Sequence, residues 1–174
     1  MRKTESNFFY IQPIVVSDYL IFDNNYRAES HFFHMQSEEM YMNEQYAELI
    51  EAAIAAKKFS YSPYSLFRVG AAILSEDGQI FKGCNIENVS YGATNCAERT
   101  AIFKGVSEGV KSIKAIAITS DEEDFTYPCG ICRQVICEFG TEVDILLVNN
   151  KGETRMSSIK ELLPNSFSKE TLLD

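Results

Sequence analysis

The stretch from Ile113 to Val148, IKAIAITSDEEDFTYPCGICRQVICEFGTEVDILLV, decides how this chain folds. Ile113 to Thr119 starts with period 2 and has an apolar centre, which predicts a strand. Val143 to Val148 predicts a second, buried strand. Between them, Cys129 to Phe139 predicts a helix, with Gly140 as the glycine just past its end. Strand, helix, strand implies parallel strands joined by a helical crossover.

Upstream, Cys96 to Lys104 predicts another helix. Before it, Phe67 to Leu74 and Ile80 to Ile86 predict two strands of a hairpin around the turn Ser75-Glu76-Asp77-Gly78. Tyr61-Ser62-Pro63-Tyr64-Ser65 is a loop by composition. Tyr46, Leu49, Ile50, Ala53 and Ile54 share one face of a helix that starts at Asn43. Asn43 suits its N-cap, Glu44 its first turn, and Lys57 and Lys58 its end. Downstream, Asn149-Asn150-Lys151-Gly152 is a turn that leads to an edge strand. The expected class is α/β, with a mixed sheet of about five strands covered by helices on both faces.

Residues 1–42 read differently. They hold 9 of the 21 aromatic residues, both histidines, three basic residues and six acidic ones, with no sustained period. The segment is too short for a core of its own and too aromatic for a typical disordered tail. It is expected to be an irregular extension, dispensable or an artefact of start-site choice at Met35, Met40 or Met42. The alternative is an aromatic arm that docks on the domain. Residues 43–174 are expected to form one domain.

The 174 residues carry a net charge of −9, with a pI of about 4.8. No run of Lys and Arg interrupts that field, so a nucleic-acid partner is not expected and a small neutral or cationic substrate fits better. Five cysteines, an odd number, argue against a disulfide framework and for reduced thiols in the cytoplasm. No apolar run is long enough to span a membrane, and Glu5, Gln12, Pro13 and Asp18 break up the N-terminus as a signal peptide.

Cys129 and Cys132 lie at i and i+3 at the start of a helix, so both sulfurs reach one point. A redox dithiol, a structural zinc and a catalytic zinc are all open uses of such a pair. Pro128 suits the helix start, whose N-terminus favours thiolates. Upstream, Asn95-Cys96-Ala97-Glu98 also opens a helix. There Glu98 has a plain reading, a capping residue reaching back to Asn95, and Cys96 reads as a small buried hydrophobe. Taken together the two helix starts say more. In a β-α-β-α-β chain both lie beyond the strand C-termini, where open α/β sheets place their sites. Three cysteines can then converge, and three ligands leave a tetrahedral metal one open position for water. His31 and His34 are poor fourth ligands, while Cys84, a strand residue, and Cys137, a buried helix residue, are the competitors.

Four ordered blocks sharpen this: Phe67-Arg68-Val69-Gly70-Ala71-Ala72, Gly83-Cys84-Asn85-Ile86-Glu87-Asn88, Cys96-Ala97-Glu98-Arg99-Thr100-Ala101 and Pro128-Cys129-Gly130-Ile131-Cys132-Arg133-Gln134. Together they resemble the small homotetrameric zinc-dependent cytidine deaminases, from about residue 43 onward. The resemblance implies a three-layer α-β-α fold, a nucleoside substrate, water, and hydrolytic deamination of cytidine and deoxycytidine in pyrimidine salvage. It implies Zn²⁺ held by Cys96, Cys129 and Cys132, with Glu98 taking the proton of the water that attacks C4 and returning protons to N3 and the amine. Ala97 leaves room for the base and offers it backbone groups. Arg99 resembles the arginine that offsets the charge of three thiolates. Asn85 and Glu87 resemble the pair that holds the ribose hydroxyl, and Phe67 an aromatic beside the nucleoside. Tyr91 and Phe167 resemble residues that reach a neighbouring subunit's site. Tyr127, bulky where the family has a small residue, and the extension depart from the pattern. Three rivals remain: a deaminase of a cytosine-containing nucleoside antibiotic, a polynucleotide deaminase, and a non-enzymatic zinc module.

Overall fold

The computed structural model describes residues 46–169. The Asn43 cap, His31, His34 and the extension 1–42 lie outside the described residues. Helix α1 occupies 46–57. It is followed by β1 (Val69–Ser75), β2 (Ile80–Cys84), a 3₁₀ turn at Tyr91–Ala93, α2 (Ala97–Ser107) and β3 (Ile113–Ser120). Then come α3 (Gly130–Phe139), β4 (Asp144–Val148), β5 (Thr154–Ser158) and α4 (Ile159–Leu162). The five strands form one mixed sheet in the order β2-β1-β3-β4-β5. β1 is antiparallel to β2 and β3, β3 and β4 are parallel, and β5 returns antiparallel at the edge.

The pleat sorts the core into two halves, because successive strand residues face opposite sides. Ala71, Ile73, Ile116, Ile118, Ile145 and Leu147 pack with Ala97, Ala101 and Ile102 of α2 and Ile136 of α3. Ala72, Ala115, Ala117 and Leu146 pack with Tyr46, Leu49 and Ala53 of α1. Both sheet faces are therefore covered in three layers. That is why the strands read as nearly continuous apolar runs rather than clean alternation. Each fully buried Ile or Leu contributes roughly 1.5–3 kcal/mol of transfer free energy.

Several boundaries differ from the sequence reading. Helix α2 passes Lys104 and continues through Gly105 to Ser107. There a Cβ would lie 2.9 Å from Ile73 Cδ1, so Gly105 is a packing choice and not a helix stop. Helix α3 does end at Phe139 with Gly140 next, as the sequence implies, but the φ of 173° at Gly140 is extended and not left-handed. Its reason is space: a Cβ would meet Val143 Cγ2 at 2.6 Å and the Ile113 carbonyl at 2.8 Å. Strand β1 begins at Val69 rather than Phe67, after Leu66 at φ 59°. Strand β2 ends at Cys84, although the Asn85 N–H still donates to the Val69 carbonyl of β1 at 3.2 Å.

Two features of this frame set the site. β2, β3 and β4 run in one direction, α2 follows β2 and α3 follows β3, so both helices start at the same sheet edge. Gly83 then lets α2 sit directly on β2: a Cβ there would be 2.3 Å from the Ala101 nitrogen and 2.5 Å from the Ala97 carbonyl.

Candidate metal centre and active site

Cys96 is the N-cap of α2 and Cys129 the N-cap of α3, both with extended backbone and no side-chain capping bond. Their thiols are free to point away from the helix ends, and they meet. Cys96 Sγ is 4.0 Å from Cys129 Sγ, which is 3.5 Å from Cys132 Sγ, and all three sulfurs lie within 4.8 Å of one another. A tetrahedral zinc with Zn–S near 2.3 Å requires sulfurs about 3.8 Å apart. The donor set and its spacing fit that ion. Among the described residues no fourth Cys, His, Asp or Glu joins the group. Cys84 bonds the Phe59 carbonyl and Cys137 the Ser166 hydroxyl, both away from the cluster. Three protein ligands are the number used by catalytic zinc sites; structural sites take four.

The loop that delivers Cys129 is braced from behind. Arg133 donates to the Pro128 carbonyl at 2.8 Å and to the Leu162 carbonyl at 2.8 Å. Tyr127 is held outward, its hydroxyl accepting from Arg155 at 3.3 Å while the Arg155 guanidinium stacks 4.4 Å from the Phe125 ring.

Glu98 cannot be the capping residue of the plain reading. With Cys96 as N-cap it is the second helical residue, and the Asn95 N–H already donates to the Ile86 carbonyl at 2.9 Å. Its side chain turns inward and is 5 % exposed. Burial raises the Glu98 carboxyl above its usual range, and the charge of Cys96 adds to the rise. A carboxyl so placed is suited to taking up and giving back protons. In the cluster itself, the Cys132 thiol and then the Arg99 guanidinium hold Cys96 well below an ordinary thiol. Cys132, beside that sulfur, buried and facing Glu98, moves the opposite way. Arg99 bonds Cys96 Sγ at 3.5 Å and the Thr94 carbonyl at 3.3 Å, and its buried Nε is left over, an unmatched donor beside sulfurs that gain charge as metal ligands.

Asn85 and Glu87 sit together against the loop 60–67, but differently from one another. Asn85 is 8 % exposed. Its Oδ1 accepts from the Val69 N–H at 2.9 Å and from Ser60 Oγ at 2.5 Å, and its Nδ2 donates to the Phe67 carbonyl at 2.7 Å. One N–H is left. Glu87 faces a cleft of 340 Å³ lined also by Tyr64, Ser65, Tyr91 and Thr94. Tyr64 and Tyr91 meet edge to face there, with ring centroids 6.3 Å apart.

The structure therefore brings Cys96, Ala97, Glu98, Arg99, Cys129 and Cys132 to one sheet edge and Glu87 and Tyr91 to a cleft, while Asn85 is buried behind the loop 60–67 and does not line that cleft. Phe67 is half-buried against the core. Phe167 is not brought in: it is 59 % exposed, tied by its carbonyl to Gln134 at 2.8 Å. Tyr91 is 78 % exposed. Ser60, Tyr64, Ser65 and Thr94 were missed in the sequence. For Tyr64 and Ser65 the signal was the Tyr/Ser loop composition, which marks a turn but does not show which carboxylate the turn folds around; Ser60 and Thr94 carried none.

The family model for the cytidine and deoxycytidylate deaminase zinc-binding region matches residues 43–147. The cytidine deaminase of Sporosarcina psychrophila is 52% identical over 126 residues, covering 72% of this chain and 93% of that one. The crystal structure of cytidine deaminase from Burkholderia pseudomallei superposes with a TM-score of 0.67 at 46% identity, covering 70% of this chain and 98% of that one. Blasticidin-S deaminase of Bacillus cereus is similar at 32% identity over 136 residues, covering 74% of this chain and 96% of that one.

Proposed function

The chain belongs to the cytidine and deoxycytidylate deaminase family, and on that premise we propose how its own residues carry the reaction. The activity is zinc-dependent hydrolysis of cytidine to uridine and ammonia. The observation that supports the assignment of roles is the meeting of three thiols from two helix starts, with a buried carboxyl two residues after the first.

Cys96, Cys129 and Cys132 hold the zinc. When bound, zinc supplies a Lewis acid that brings the pKa of a coordinated water down towards neutrality. Glu98 takes a proton from the water that adds to C4 of cytosine, and passes a proton to N3. It then takes the proton of the new C4 hydroxyl and gives it to the exocyclic amine, which leaves as ammonia while C4 becomes a carbonyl. One water is consumed and one ammonia released. Arg99 offsets the excess negative charge of the three sulfurs, which would otherwise weaken the acidification of water. Ala97, with no side chain beyond Cβ, leaves space for the base. Asn85 and Glu87 hold the sugar, and Phe67 backs the nucleoside.

The remaining parts of the reading rest on the resemblance and on chemistry. The catalytic unit is residues 43–174, assembled as a homotetramer in which Tyr91 and Phe167 reach a neighbour's site. It works in the cytoplasm, where its thiols stay reduced, and it does not act on nucleic acid. No helix among the described residues is long and apolar enough to cross a membrane. A nucleoside-antibiotic deaminase is the second reading, which the lower identity to the blasticidin-S enzyme disfavours.

Following the ultraviolet change on deamination tests the proposal. Cytidine and deoxycytidine both react, because no residue assigned here reads the 2′-hydroxyl. Cytidine monophosphate reacts far more slowly, since the cleft residues include a carboxylate and no cation to receive a phosphate. A nucleotide turned over faster than its nucleoside contradicts the substrate assignment.

A further inference from the structure

We propose that Ser65 is a positioning residue for the sugar: its hydroxyl fixes the Glu87 carboxylate so that one acceptor site is left for one substrate hydroxyl. This rests on the reading of Glu87 as the sugar's acceptor.

An ionised carboxylate offers about four acceptor sites. The loop 60–67 occupies three of them. Glu87 Oε2 accepts from the Tyr64 N–H at 2.9 Å and from the Ser65 N–H at 3.3 Å. Glu87 Oε1 accepts from the Ser65 hydroxyl. That leaves one site, on Oε1, and Glu87 is a lining residue of the 340 Å³ cleft. The same hydroxyl is itself fixed, because its oxygen accepts from the Phe67 N–H at 3.0 Å. Ser65 thus links Glu87 to the residue whose carbonyl anchors Asn85. Its hydroxyl is also the main reason that the Glu87 carboxyl lies below its usual range, and so stays a pure acceptor.

The backbone gives this arrangement a cost that packing alone does not explain. Leu66 is exposed and adopts φ 59°, a conformation unusual for a bulky residue. Its N–H closes the loop onto the Ser62 carbonyl at 3.0 Å. The turn gains no buried apolar contact from Leu66. What it does achieve is to bring two N–H groups and one hydroxyl onto a single carboxylate. A site prepared in this way discriminates strongly against a ligand that lacks the matching hydroxyl, since its polar group is then left unmatched.

The test compares kcat/KM for cytidine with kcat/KM for 2′,3′-dideoxycytidine, which lacks both ring hydroxyls, in four full-length proteins. The wild type prefers cytidine. Glu87→Gln loses most of that preference. Ser65→Ala raises KM for cytidine on the order of 3–10-fold with little change in kcat, and moves the preference towards that of Glu87→Gln. Ser65→Thr, which keeps a hydroxyl, restores it. If Glu87→Gln loses the preference but Ser65→Ala keeps it, with or without a lower melting temperature, Ser65 is only a loop residue and the proposal is overturned. If Glu87→Gln keeps the preference as well, the sugar reading of Glu87 fails first and takes the proposal with it.

Discussion

Glu98→Gln lowers kcat by about 10²–10⁴-fold while leaving the fold and the zinc content intact. The reasoning is geometric. Glu98 stands outside the sulfur group, so its removal takes no ligand from the metal. Gln has nearly the same volume, and at the second position of α2 it continues the helix without strain. It cannot carry a proton, however, and the proposed reaction asks this one side chain to move protons at the water, at N3 and at the amine. The buried surroundings that raise the Glu98 carboxyl are what make it an exchangeable acid and base. Steady-state kinetics, metal analysis and a thermal melt on the same preparation check the prediction. Retained turnover with a lowered melting temperature would show that Glu98 serves the helix and not the chemistry.

Replacing any one zinc thiol has a broader effect. Cys129→Ser and Cys132→Ser lose both bound zinc and activity, by more than the 10–100-fold that loss of an outer hydrogen-bond partner typically costs, here about two decades at least. A serine hydroxyl does not ionise in this range and offers a harder, weaker donor. The loss also reaches the fold, because a metal held by these thiols would tie the start of α2 to the start of α3, and metal binding is coupled to folding. Cys84→Ser and Cys137→Ser keep their zinc, since those thiols bond the Phe59 carbonyl and the Ser166 hydroxyl. Metal analysis of the four variants decides. Zinc kept by Cys132→Ser and lost from Cys84→Ser would reassign the site.

The sequence was informative wherever one residue type carries one chemistry. Cysteines at i and i+3 can share a ligand, and two helix starts on one side of a sheet can bring a third. Both inferences needed only spacing and strand direction, and the sulfurs do meet. The sheet was legible because β3 and β4 are buried on both faces and so carry long apolar runs. What stayed hidden depended on contacts between distant segments. Gly140 marks the helix stop in sequence, and α3 does end there, but only the position of Val143 and Ile113 shows why the residue must be glycine. Asn85 and Glu87 look like an equivalent pair at a strand end. In the fold Asn85 is nearly saturated by Val69, Ser60 and Phe67, while Glu87 is presented to the cleft by Ser65 and Tyr64. Side-chain partners 16 to 25 residues away cannot be read from composition. The plain capping role of Glu98 was also a fair reading of Asn95-Cys96-Ala97-Glu98. It fails because the cap falls on Cys96, one residue later than that motif needs.

The most direct test of the account is to strip the protein with a chelator and return zinc in steps, while following cytidine deamination by ultraviolet absorbance. The account predicts no turnover in the stripped protein, and activity that rises in proportion to bound zinc and stops at one ion per chain. Full turnover by metal-free protein, or zinc saturating the three thiols without any deamination of cytidine, would contradict it.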